Sequence, residues 1–269
     1  MLVMVPSAQA APPVFVRLAA HAVRWRLLSE LAYGDLRVRE LVALVGEPQN
    51  VISYHLRLLR SAGLVAARRS SHDGRDSYYR LDLERCADTL AAAGTALHPA
   101  LRLVPAPPAA AAGDAVTSSV LFVCTGNSAR SPVAEALLRH RAGGRADVAS
   151  AGSHPKPRTH PGAVRVLRRR YGIDIADRRP RHLDTLNGHR FDYVISLCDK
   201  VREVCPEFGD HPRRLHWSIP DPAAPGDETG QAGGPAFERA AAEIDTRIRY
   251  LLPVLTHTAG ENPAEEAQS

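Results

Sequence analysis

The sequence predicts an α/β protein: a four-stranded parallel sheet in its C-terminal half, preceded by a smaller domain of helices and one β-hairpin. Three observations carry this. From Val120 onward, short apolar runs alternate with amphipathic helical stretches, the order that a parallel sheet covered by helices requires. Before that, residues 17–62 hold three helical patterns in close succession, and two short strands follow around an Asp-Gly pair. Between the halves, Pro105-Ala106-Pro107-Pro108 and the alanines up to Gly113 form a linker, stiff at its proline end. The expected layout is a disordered start over 1–12, a winged helix-turn-helix domain over 13–103, a linker over 104–118, an α/β domain over 119–257 and a disordered tail over 258–269.

A chain of 269 residues with 45% hydrophobic residues has enough apolar surface for two cores. No apolar run approaches the length of a membrane span. The first residues, Leu2-Val3-Met4-Val5, lack the basic flank and the length of a signal peptide. Four cysteines in so long a chain fit a reducing cytoplasm, not a disulfide scaffold. The net charge of +5 is uneven: residues 1–103 hold 13 arginines against 9 acidic residues. Between 51 and 80, Arg57, Arg60, Arg68, Arg69, Arg75 and Arg80 face only Asp73 and Asp76, the kind of surface a phosphate backbone attracts.

Arg17 to Ala32 is predicted as one helix, with Leu18, Trp25, Leu28 and Leu31 on or near one face. Val38 to Val45 is a second helix, stopped by Gly46. After the turn Gly46-Glu47-Pro48, a third runs from Gln49 to Ala62. Its Ile52, Leu56 and Leu59 point inward, which leaves Gln49, Asn50, Ser53, Tyr54 and Arg57 outside. A short helix, a glycine turn and a polar-fronted helix make a helix-turn-helix, whose second helix enters the major groove. Glutamine and asparagine suit adenine edges there, and Arg57 suits guanine or phosphate. Ala66–Ser70 and Ser77–Leu81, joined through His72-Asp73-Gly74-Arg75, form a hairpin or wing, with Arg75 expected at the DNA backbone or minor groove.

The run His55-Leu56-Arg57-Leu58-Leu59-Arg60-Ser61-Ala62-Gly63-Leu64-Val65 and the wing after it resemble the ArsR-type winged-helix regulators. The resemblance implies a DNA-binding homodimer, with Glu84 to Leu101 as the dimer helix. Many such regulators sense metals or arsenite through cysteines in the helix before the turn. Val38 to Val45 contains none, and Cys86 stands alone, so no metal site is expected in this domain.

In the second half, Val120-Leu121-Phe122-Val123 is a buried strand, followed by a tight loop and a helix opening at Pro132. Further strands are expected at Asp147–Ala151, Tyr193–Leu197 and Arg214–Trp217. Helices are expected at His160–Tyr171 and at Phe237–Leu255, the latter with Ala241, Ile244, Ile248, Leu251 and Leu252 on one side. The loop is Cys124-Thr125-Gly126-Asn127-Ser128-Ala129-Arg130-Ser131. Backbone N–H groups of Thr125 to Arg130, at a helix N-terminus, suit a tetrahedral oxyanion. The same field favours a thiolate, so Cys124 is the expected nucleophile, with Ser131 donating to the sulfur and Arg130 gripping two substrate oxygens. In Ser218-Ile219-Pro220-Asp221-Pro222 a carboxylate is held between prolines, as a general acid must be. Cys198 ends the third strand and Cys205 follows seven residues later; the pair suits a thiol relay, a zinc site with His211 or His216, or two incidental thiols.

On the Cys124 loop, Ser119 to Leu255 resembles the low-molecular-weight tyrosine phosphatases, a family that includes arsenate reductases coupled to thioredoxin. The resemblance implies that Asp221 is the proton donor and that Cys198 and Cys205 relay electrons from Cys124 outward. It further implies arsenate as substrate and thioredoxin or a small thiol as reductant, with no tightly bound cofactor. Ala129 departs from related sequences, which often carry a cysteine there. Two alternatives stand beside this one: a protein-tyrosine phosphatase using Cys124, Arg130 and Asp221 alone, and a transcription regulator whose phosphatase-like half only senses an oxyanion.

Overall fold

The computed structural model describes residues 11–101, 118–204, 213–223 and 233–257. Most of the expected start, the linker and the tail lie outside these residues. The chain divides into two compact units, one of Met1–Ala67 with Tyr79–Pro105 and one of Arg68–Tyr78 with Ala106–Ser269. The unit boundary therefore falls inside the hairpin, at Arg68 and Tyr78, rather than in the linker alone.

In the first unit the expected opening helix is two helices, α1 (Val14–Ala19) and α2 (Ala22–Leu31). His21 divides them: its backbone is extended and its Nδ1 accepts from Val23 N at 3.2 Å, which caps α2. The restart resets the inward face. Leu27, Leu28 and Leu31 are buried, while Trp25, expected inside, is 56% exposed. A two-residue strand β1 (Leu36–Arg37) precedes α3 (Val38–Val45), which ends at Gly46 with φ 72°, the left-handed cap that glycine adopts without strain. The third predicted helix is α4 (Gln49–Ser61). Ile52, Leu56 and Leu59 fill the core with Leu41, Val45 and Leu64. Strands β2 (Val65–Arg69) and β3 (Ser77–Leu81) join β1 in the order β1-β3-β2. Helix α5 (Leu83–Leu97) is capped by Asp82, whose Oδ1 accepts from Arg85 N at 2.9 Å. Cys86 lies in this core, and burial pushes its thiol up to about 12, which makes it a packing residue.

The second unit is built on a parallel sheet in the order β5-β4-β6-β7. Its strands are β4 (Val120–Cys124), β5 (Val148–Gly152), β6 (Tyr193–Ser196) and β7 (Arg213–His216), each within a residue or so of its predicted place. Central β4 is buried along its whole length, which explains its unbroken apolar run. Helix α6 (Arg130–Arg141) begins two residues before Pro132, so Arg130 and Ser131 belong to its first turn and not to the loop. Helix α7 (Pro161–Tyr171) follows β5, a six-residue helix α8 (Asp199–Val204) follows β6, and α9 (Gly234–His257) closes the unit. Helix α8 and a single 3₁₀ turn at Leu183–Leu186 are too short to leave a periodic signal. Ala241, Ile244, Ile248, Leu251 and Leu252 of α9, predicted to share one side of the helix, are all buried in the core of this unit. Among the described residues no helix is long and apolar enough to cross a membrane.

Because β4 pairs with β5 on one side and β6 on the other, a crevice opens beyond its carboxyl end, at Cys124. Leu137 of α6 is fully buried against this sheet. Leu137→Ala is expected to cost the second unit about 2–5 kcal/mol, read as a lower midpoint of urea unfolding.

Candidate functional site

Cys124 sits at the end of β4, 2% exposed, with Ser131 Oγ 3.0 Å from its sulfur. The intervening loop turns on Asn127, whose φ of 44° is the only positive value at a non-glycine among the described residues. Its side chain fixes that conformation. Nδ2 donates to Ser131 Oγ and to Ser150 Oγ, each at 2.9 Å, and Oδ1 accepts from Arg181 N at 2.9 Å. With Asn127 donating to it, Ser131 Oγ can turn its own proton to the sulfur, the direction that steadies a thiolate. Ser150 Oγ in turn donates to Glu135 Oε2 at 2.7 Å, and buried Glu135 is neutralised by Arg139 at 3.0 Å and by Arg178. The loop thus rests on a buried ionic base.

A segment that sequence reasoning passed over completes the loop. The N–H groups of Ser153, His154, Lys156 and His160 donate to the carbonyls of Cys124, Thr125, Gly126 and Ser128 at 3.3, 2.8, 2.9 and 2.8 Å. Those carbonyls are turned aside and occupied, which leaves N–H groups to face an anion. The close approach demands glycine at 152: a Cβ there would lie 2.7 Å from Thr125 O and 2.8 Å from Asn127 N. Three prolines among basic residues, His154-Pro155-Lys156-Pro157-Arg158 with Pro161, were the available signal.

These parts enclose a cavity of about 810 Å³ lined by Cys124, Thr125, Gly126, Ser128, Ala129, Arg130 and Asp221, with Lys156, Arg158 and Lys200 at its rim. Asn127 and Ser131 stand beneath it. Ala129 offers only its backbone. Arg130 is 7% exposed; its Nη2 pairs with Asp221 Oδ2 at 2.7 Å and its Nη1 donates to Ile219 O at 3.2 Å. Burial opposes the guanidinium charge, yet Cys124, Asp221, Cys198 and Asp199 around it raise its pKa. The predicted acid and the predicted oxyanion grip are therefore already one ion pair.

Cys198 is brought to the same place, its sulfur 3.3 Å from Thr125 Oγ1. Burial raises its pKa, against the pull of Arg130. Cys205 and His211 lie outside the described residues. His216 faces Ser196 and Asp199, and no group of three potential metal ligands occurs among the described residues. On the first unit, Gln49, Asn50, Ser53, Tyr54 and Arg57 share the solvent-exposed face of α4, as predicted; Arg75 is exposed at the hairpin tip, which belongs to the second unit.

Asp199, missed in the sequence, is fully buried. Burial would raise its pKa, but hydrogen bonds from His216, Ser218 and Ser71 outweigh it and hold the carboxyl well below its usual 3.8. A folded-state pKa below the unfolded one gives stability that is complete above the ordinary carboxylate range and is lost as pH falls through and below it. Asp199→Asn is expected to flatten the dependence of unfolding free energy on pH below about 4, measured by urea titrations at successive pH values.

The low molecular weight phosphotyrosine protein phosphatase model matches residues 119–261, and the model of the arsR family of bacterial regulatory proteins matches residues 22–67. An arsenate reductase of Brevibacillus brevis is 37% identical over 131 residues, 49% of this chain and 91% of that protein. A crystal structure of arsenate reductase from Archaeoglobus fulgidus is similar at 31% identity and a TM-score of 0.41, over 50% of this chain and 99% of that one. A thioredoxin-dependent arsenate reductase of Corynebacterium glutamicum, 24% identical with a TM-score of 0.41, spans 85% of this chain and 96% of its own. The chain therefore belongs to the low molecular weight phosphotyrosine protein phosphatase family, and its residues 22–67 match the arsR regulator model.

Proposed function

We propose that this protein is an arsenate reductase fused to an ArsR-type DNA-binding regulator. The observation that carries the reading is the placement of a second buried thiol, Cys198, beside the Cys124 loop. A phosphatase has no use for it. Cys124 attacks arsenate within the loop, Arg130 holds two of its oxygens, and Asp221 protonates the departing oxygen, which leaves as water. The Cys198 thiolate, its proton given up to solvent, then attacks the Cys124 sulfur. An S–S bond forms, the S–As bond breaks, and its electron pair stays on arsenic, which leaves as arsenite. Two thiols are oxidised and arsenic gains two electrons. Cys205 carries the disulfide outward by a further exchange, where thioredoxin or a small thiol reduces it.

With thioredoxin, thioredoxin reductase and NADPH, the purified chain is expected to convert arsenate to arsenite, and Cys124→Ser, Cys198→Ser and Cys205→Ser each to abolish turnover. Full turnover by Cys198→Ser and Cys205→Ser would remove the relay. Hydrolysis of an aryl phosphate that survives both changes, without arsenate reduction, would make the protein a phosphatase instead.

The exposed face of α4 supports DNA reading in the major groove by Gln49, Asn50, Ser53, Tyr54 and Arg57, in a homodimer through α5, where Leu90 and Leu97 are exposed. Asn50→Ala is expected to relax preference at particular base pairs by about 1–3 kcal/mol, and Arg75→Ala to weaken all sequences alike and lower the salt slope by about one unit. Gel shifts on the protein's own promoter, at several salt concentrations, separate the two.

A further inference from the structure

Cys198 is followed at once by a heavily hydrogen-bonded side chain, Asp199. Asp199 is fully buried, and donors from three separate segments converge on it. From the hairpin tip, Ser71 N and Ser71 Oγ donate to Oδ2 at 2.7 and 2.8 Å. From β7, His216 Nε2 lies 3.1 Å from Oδ1. From the loop that ends in Asp221, Ser218 Oγ donates to Oδ1 at 2.6 Å. Arg68 Nη2 stands 3.9 Å away and also bonds Ser218. Only a group that accepts on both atoms satisfies such a set. An asparagine would have to turn its NH₂ toward donors on one side or the other.

The catalytic scheme above gives this carboxylate no part. The bonds nevertheless hold the first residue after the relay thiol to the acid loop and to the hairpin tip. We propose that Asp199 is the positioning residue of the relay, holding Cys198 against Thr125 within reach of Cys124. This rests on the relay reading of Cys198. Misplacing reacting atoms by about 1 Å costs on the order of 100-fold in rate, so the tether governs disulfide formation without touching substrate.

The test uses the full chain with Cys205→Ser, which stops the relay at the Cys124–Cys198 bond. Diamide, a two-electron thiol oxidant, drives that bond, and peptide mass spectrometry follows its rate; no arsenate is involved. The pH profile of Cys124 alkylation by iodoacetamide is read on the same samples. Adding Asp199→Asn is expected to slow Cys124–Cys198 closure at least about tenfold, with the Cys124 alkylation profile unmoved. Ser71→Ala and Ser218→Ala, which remove one donor each, are expected to give smaller losses in the same direction, and they carry the test alone if Asp199→Asn does not fold. A purely structural role would shift alkylation and closure together, and that result overturns the proposal, as would closure at the wild-type rate. A wild-type chain that closes the disulfide with diamide but does not reduce arsenate would sink the reductase reading and leave Asp199 in its role.

Discussion

The oxyanion site proposed for the Cys124 loop has to keep the loop's own carbonyls away from the anion, and that constraint shapes its surroundings. Asn127 takes a left-handed conformation that a side chain normally disfavours. Its side-chain amide donates two hydrogen bonds and accepts one, and these hold it there. The segment after β5 consumes the loop carbonyls, and β5 approaches so closely that only Gly152 fits. Glu135, buried under the loop, would be untenable without Arg178 and Arg139. Each of these features follows from one requirement.

Much of this was legible in advance, for reasons that differ by element. Buried strand β4 announces itself because a strand covered on both faces has no polar positions. Helices α4 and α9 are long enough for their period to show, and their inward residues fell where the spacing put them. Helix α2 was misphased because its start is set by a single cap, His21, which no periodicity records. The Cys124 loop was legible because its chemistry needs particular residues at fixed spacing. The buried network under it was not, since Asn127, Ser150, Glu135, Arg178 and Arg181 meet only in the fold.

The pairing of Arg130 with Asp221 shows how the site manages its charge. A guanidinium this buried needs an anion beside it, and Asp221 serves. On the proposed reading, an incoming oxyanion would take over that duty and free the carboxylate for proton transfer, so that binding and arming of the acid would be a single exchange of partners.

The chain meets almost all its need for positive charge with arginine; its two lysines are Lys156 and Lys200, and both stand at the rim of the cavity. Lys156 is also fastened there, its N–H bonded to Gly126 O and its stem against Gly126. The side-chain amines of the protein are thus gathered at one doorway. Reagents that acylate amines, ordinarily scattered over a protein surface, become here a footprint of a single site, and protection of these two residues reports whatever occupies it.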